Sequence, residues 1–290
     1  MKTIRIGRLF VAAATLVIML IIGCKKYNNS TNNYDNGTPA MSNSIQLMAN
    51  TKFGNIMTDG SGRTLYFFSI DAGTTSNCTG GCLAVWPVFY SANPTLGTGL
   101  NASDFATITR SDGAMQTTYK GWPLYYYSGD IYAGDTNGDP VDNTWFVAKA
   151  DYSVMISDAQ LVGLDGKQYT SAGVAGTAIS QYLVDDRGHT LYMFTPDKAN
   201  TNTFTKADFS NNITWSIDSV KTVQSVPSIL LKSDFAIINV FGHSQISFRG
   251  RPLYFFGQDA ATRGNTKGVS FPTPGAAIWK VTNSSTVVLN

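Results

Sequence analysis

The stretch LYFFSID (65–71) is written again as LYYYSGD (124–130), LYMFTPD (191–197) and LYFFGQD (253–259). Each copy follows a glycine, at Gly62, Gly121, Gly188 and Gly250, so a unit recurs about every 60 residues. A tryptophan follows each aspartate: Trp86, Trp145, Trp215 and Trp279, in AVWPVF, TWFVA, ITWSI and AIWKV. Self-similarity at a fixed period marks a repeat architecture. Alternate side chains of a strand face opposite sides. In LYFF both sides are apolar, so the strand is expected to be covered on both faces and central to its unit. The glycine supplies a turn into the strand. The aspartate caps the exit turn by accepting backbone N–H bonds. The Trp stretches read as further strands packed on the aromatic one, which favours core packing over exposed sugar-stacking platforms.

A second periodicity overlies the first. SDFATIT (103–109) matches SDFAIIN (233–239), each shortly before an even-numbered copy. The four units are therefore two pairs. The expected fold is all-β: four tandem antiparallel repeats arranged as two pseudo-symmetric pairs, 45–150 and 174–290. A hairpin over 151–173, turning at Asp165-Gly166, connects them. The alternative is a single four-bladed propeller-like ring. A ring would gather the four Tyr and Asp residues around an axis; two pairs would keep them in separate sets.

The chain opens with Lys2, Arg5 and Arg8, then an apolar run to Gly23 and Cys24. A charged start, a short apolar stretch and a small residue make a secretory signal over 1–23. The run is short of the roughly 20 residues of a comfortable membrane span. Leu20-Ile21-Ile22-Gly23-Cys24 resembles the bacterial lipobox, which implies cleavage before Cys24 and its lipidation. Residues 25–44 are polar and rich in Asn, Ser and Thr, and read as a tether. Removing Lys2, Arg5 and Arg8 from 21 basic residues leaves 18 against 19 acidic, a balance of −1. Charged residues are 14% of the chain. Such a surface excludes electrostatic nucleic-acid binding, which needs a concentrated basic patch.

The motif Tyr-x-(Phe/Trp/Tyr)-x-x-Asp is carried by Tyr66, Phe68 and Asp71; Tyr125, Tyr127 and Asp130; Tyr192, Phe194 and Asp197; Tyr254, Phe256 and Asp259. With GRTLY, CTGGCLAVWP, GWPLYYYSGD and GDTNG around it, the chain resembles bacterial predicted lipoproteins called secreted repeats of unknown function. The resemblance implies a lipid-anchored envelope protein facing the periplasm or cell exterior, and carries no activity. The second pair departs from it, with FTKADFSNNITW for CTGGCLAVW and NTKG for DTNG.

Cys78 and Cys82 bracket Thr-Gly-Gly and favour a disulfide outside the cytosol. The rival is a soft metal such as copper. Asp135, Asn137 and Asp139 alternate like calcium ligands, but the glycine falls early and no Glu closes the loop, so a turn is the simpler reading. His189 fills the slot of Arg63, Trp122 and Arg251, which suggests an exposed position. His243 lies in the turn FGHSQ. No nucleophile elbow, HExxH or P-loop is present. A Ser-His-Asp set assembled in three dimensions would need a cleft gathering a histidine, a carboxylate and a nucleophile. The motif residues read as structural, no cofactor is expected, and the leading function is a non-catalytic binding or structural module. Its partners would be the membrane and a glycan or envelope protein. The alternative is a metal- or redox-linked envelope protein using Cys78 and Cys82.

Overall fold

The computed structural model describes residues 43–290. The expected leader (1–23), the lipidation site Cys24 and all but the end of the tether (24–44) lie outside the described residues. The chain enters its first strand at Ser44–Asn50, which pairs antiparallel with Gly54–Asp59 and parallel with Thr95–Leu96. That parallel edge is a departure from the all-antiparallel expectation. The described residues are otherwise almost wholly β, with one four-residue α-helix, Cys82–Val85, and short 3-10 turns.

The turn into each repeated stretch needs its glycine. Gly62, Gly121, Gly188 and Gly250 all have positive φ, between 78° and 88°, a region open to glycine without the Cβ penalty. Each turn follows a strand and leads into the motif. The hairpin Phe105–Thr109/Met115–Tyr119 runs on to Trp122–Pro123. Its counterpart Phe235–Val240/His243–Phe248 runs on to Arg251–Phe256.

The two pairs share one plan of pairing. Tyr66 and Tyr125 stand opposite each other and exchange both backbone hydrogen bonds, at 2.8 and 3.1 Å. Tyr192 and Tyr254 are opposite in the same way. Each motif also pairs with the Trp strand of the other unit of its pair. Tyr66–Phe68 pairs with Trp145–Val147, and Tyr192–Phe194 with Trp279–Val281. Trp215–Ile217 pairs with Arg251–Phe256. The two Trp rings of a pair then meet face to face. Trp86 and Trp145 stack at 3.7 Å and 3°, Trp215 and Trp279 at 3.7 Å and 9°. All four are buried, so none is an exposed platform. Trp86 departs from the expected strand: it caps the short helix, and the chain joins the sheet plan through Val88, bridged to Tyr125.

Met155–Val162 lies between Gln168–Tyr169 and Ile179–Val184, pairing antiparallel with both. Among the described residues the sheets stay separate and close into neither a barrel nor a propeller ring. One apolar cluster draws on both repeat pairs, from Leu65, Phe67 and Trp122 to Tyr192, Trp215 and Trp279. Burial of this kind contributes about 25 cal/mol per Å² of apolar surface removed from water.

Arg263 is a buried cation among those that tie the pairs together, beside the Lys120–Asp186 and Arg187–Asp104 ion pairs. Arg263 occupies the place of Ala133 in the first pair, because Gly264 and Gly134, which follow them, donate to Gly188 and Gly62 in matching bonds. The Arg263 guanidinium donates to the carbonyls of Asp71, Gly73, Lys120 and Arg187, at 2.9 to 3.2 Å. It also lies 4.2 Å over the Trp122 ring. Trp122 is 1% exposed, so the slot it shares with His189 is not a surface position in every unit. Burial lowers the Arg263 pKa to about 10.

Candidate functional site

The motif side chains are built across units. Tyr66 donates to Asp130 at 2.6 Å, and Tyr125 to Asp71 at 2.7 Å. Tyr192 donates to Asp259 at 2.6 Å, and Tyr254 to Asp197 at 2.7 Å. Each tyrosine therefore meets the aspartate of its partner motif, in two separate sets. The other carboxylate oxygen accepts a backbone N–H further along: Asn77, Asn137, Thr203 or Lys267, at 2.6 to 3.0 Å. A buried carboxylate with both oxygens occupied meets the requirement that buried polar groups be paired. Burial pushes the Asp71 carboxyl up to about 6, against hydrogen bonds from Tyr125 and Asn77. Burial likewise raises Asp130, Asp197 and Asp259. The four phenols rise well above their ordinary range, also chiefly by burial.

The third and fourth motif positions differ in cover. The aromatic Phe68 is buried, while Tyr127 and Phe194 are partly exposed. Phe256 is buried, but Phe255 beside it is not. Covering on both faces thus holds for the first copy and loosens in the others.

Cys78 and Cys82 are joined in a disulfide, with Cα atoms 5.4 Å apart. Their sulfurs are bonded to each other, which leaves no thiolate pair for a soft metal. The Cys78 carbonyl accepts from the buried Arg110.

Asp135, Asn137 and Asp139 do not converge. Asp135 accepts from the N–H groups of Ile131 and Tyr132 at 2.9 Å. Asn137 donates to Gly129, and Asp139 accepts from Val147 and Ser228. The glycine of this loop has a steric reason. A Cβ on Gly138 would lie 2.7 Å from the Tyr66 ring, and one on Gly268 2.8 Å from Tyr192. Both glycine N–H groups donate to those tyrosine hydroxyls at 3.3 Å. Among the described residues no group of three or more His, Cys, Asp or Glu is placed to hold a metal ion.

His243 is exposed at a hairpin end. His189 is partly buried, and its Nδ1 lies 2.7 Å from Asp185. That hydrogen bond raises the imidazole's pKa. The pair lines a cavity of about 370 Å³ together with Thr190, Ser216 and Phe255. The Thr190 hydroxyl is spent on the Asn265 carbonyl, and no hydrogen bond among the described residues joins Ser216 to the His189 ring. A second cavity, of about 550 Å³, shares Asp185 and Phe255 and adds Lys120, Tyr152, Asp186 and Asp218. Lys120 pairs with Asp186 at 2.5 Å. Asp218 is 5% exposed, and its Oδ2 has no hydrogen-bond partner. Burial, then repulsion from Asp185 and Asp186, holds its carboxyl far above the usual carboxylate range. Sequence reasoning passed over Asp218 because it lies outside the repeated heptad. Aligning the residues after Trp86 and Trp215 would have exposed it, as Phe89 and Asp218 fall in step.

Two stretches of the chain, 48–90 and 106–149, match a family of lipoproteins described as a secreted repeat of unknown function. They cover the first repeat pair. No curated protein and no solved structure matches the chain. Among the described residues no helix is long and apolar enough to cross a membrane.

Proposed function

We propose that this chain is a bacterial envelope lipoprotein, anchored through Cys24, whose folded part acts as a non-catalytic binding module. The observation that carries the reading is the fate of the recurrent polar groups. All four motif tyrosines and all four motif aspartates are consumed by one another and by backbone N–H groups. What recurs is scaffold, so recognition falls to residues in which the two pairs differ. The leader, with its apolar run ending Ile-Ile-Gly-Cys, supports export and lipidation. The formed Cys78–Cys82 disulfide agrees with an oxidising compartment.

The test is fractionation of the full chain expressed in a bacterial host, with mass spectrometry of its first tryptic peptides. The reading expects an acylated peptide beginning at Cys24, and loss from the membrane fraction on Cys24→Ala. An unmodified Cys24 in a soluble product would overturn the anchor.

A hydrolytic reading has one observation behind it, Ser216 on the cavity wall near the Asp185–His189 pair. It lacks the nucleophile-to-base hydrogen bond that such a site needs.

A further inference from the structure

The two repeat pairs can be laid on each other bond for bond, and that comparison isolates one place where they diverge chemically. Phe89 donates its N–H to Leu124 and accepts at its carbonyl from Thr117. Asp218 donates to Leu253 and accepts from Ile246 in the same pattern. Asp218 therefore stands where the first pair has Phe89. In the first pair that position is filled and neutral. The Phe89 ring packs edge-on against Tyr126 at 5.6 Å, and Tyr126 donates its hydroxyl to Asp59 at 2.8 Å. Arg63 covers the other ring of the set, with its guanidinium carbon 3.9 Å from the Tyr126 centroid.

Three members of this set are changed in the second pair, and only the aspartate is kept. Phe255 replaces Tyr126, so Asp185, the counterpart of Asp59, loses its phenol donor. His189 replaces Arg63 and turns to Asp185 instead. Its ring meets Phe255 edge-on at 6.3 Å, and among the described residues no Lys or Arg lies over Phe255. Asp218 replaces Phe89 with a smaller, acidic side chain. The result is the paired cavities described above, with Phe255 shared between them. Three of the acids there already have partners: Asp185 has the His189 ring, and Asp186 and Asp151 have the cations Lys120 and Lys149. Asp218 has none, though it is nine-tenths buried.

An unpaired buried carboxyl costs stability, and three neutral residues, Phe89, Ala148 and Thr282, fill the corresponding place after the other tryptophans. The fold does not need an acid here. A carboxyl without a donor, beside an aromatic ring without its cation, is complementary to a cation with an apolar body. We propose that the cleft lined by Asp185, Asp218 and Phe255 binds a small organic cation, an amine or guanidinium. Its charged head meets Asp218, and its apolar body takes the space that the Phe89 ring fills in the first pair. This deepens the reading of the folded part as a non-catalytic binding module and rests on it.

The experiment is isothermal titration of the full chain, held in a non-ionic detergent at neutral pH, with benzylamine and with benzyl alcohol as the uncharged control. Benzylamine is expected to bind at one site per chain, and benzyl alcohol to give no saturable heat. Asp218→Asn should weaken benzylamine about tenfold or more. Phe255→Tyr, which restores the first pair's phenol over Asp185, should also weaken it and serves if Asp218→Asn fails to fold. Equal heats for amine and alcohol, or an Asp218→Asn affinity within about twofold of the parent, would overturn the proposal. Mass spectrometry of the recovered benzylamine separates the two readings. Unchanged amine supports both, and consumed amine leaves the site standing while refuting the non-catalytic reading. Absence of binding refutes the site alone.

Discussion

Replacing Arg263 by alanine removes four hydrogen bonds, three of them across the repeat pairs to Asp71, Gly73 and Lys120 and one within its own pair to Arg187. Bonds from a charged donor contribute about 1.5 kcal/mol each at the low end, so the four together are worth about 6 kcal/mol before desolvation. Burial opposes them, since it brings the guanidinium down to about 10. A drop of that size corresponds to about 3 kcal/mol against the charged form. The net loss on Arg263→Ala is then about 3 kcal/mol, to which the stacking on Trp122 adds up to about 1 kcal/mol. For a folded part of this size that is a fall of roughly 6 to 12 °C in melting temperature. Arg263→Lys should recover less than half of it, because a single ammonium lacks the planar fork that reaches several carbonyls at once. The assay is urea unfolding followed by tryptophan fluorescence, supported by calorimetry. A loss below about 1 kcal/mol, or full recovery by lysine, would refute the view that this side chain is a main fastening between the pairs.

Three further outcomes follow from the same geometry. Reducing the disulfide, or Cys78→Ser with Cys82→Ser, should cost about 2 kcal/mol because the loop it closes is short; free-thiol titration before and after reduction confirms the state being compared. Trp279→Ala should cost about 3 to 5 kcal/mol and should reduce the exciton-coupled Trp signal in the circular dichroism spectrum, leaving the contribution of Trp86 and Trp145. Stability should fall as pH rises from about 5 to 8. The sign follows from the buried aspartates. Asp71 is pushed up to about 6 when folded, above its usual 3.8, so the folded state holds more protons between those values; about 1 kcal/mol of that advantage is left at pH 5 and it is gone by pH 8. Asp130, Asp197 and Asp259 are raised in the same direction by burial. His189, raised by its bond to Asp185, adds stability that is full below its unfolded value and disappears as pH rises through its folded one. Calorimetry at constant ionic strength checks this; a melting temperature that climbs steadily over that range would refute it.

The repeat was legible because each unit writes its core strand, glycine turn and aspartate within ten residues. Local physics suffices there: period-two alternation, positive φ at Gly62 and its equivalents, and an aspartate accepting from a nearby backbone N–H. The grouping into pairs was legible from SDFATIT and SDFAIIN. What was not legible was which tyrosine meets which aspartate. Tyr66 and Asp130 are joined across 64 positions, and nothing local distinguishes that bond from one to Asp71. Trp86 was misplaced in a strand because AVWPVF has strand composition, while the disulfide loop before it coils Cys82–Val85 into a helix. The exposure inferred for the His189 slot failed at Trp122, which Arg263 covers from the other pair. Arg263 and Asp218 were invisible for a common reason. Each is a single departure from the repeat, and its meaning lies in the counterpart it replaces, Ala133 or Phe89.

The account depends on the exchange of Tyr–Asp bonds between the units of a pair. Two double-mutant cycles on Tyr254 test it most directly, one with the partner motif's Asp197 and one with its own motif's Asp259, both read by urea unfolding of the full chain. Tyr254→Phe with Asp197→Asn should show a coupling of about 1 to 3 kcal/mol, and Tyr254→Phe with Asp259→Asn less than about 0.5 kcal/mol. Coupling confined to Asp259, or equal in the two cycles, would contradict the exchange and with it the reading of the motif as scaffold.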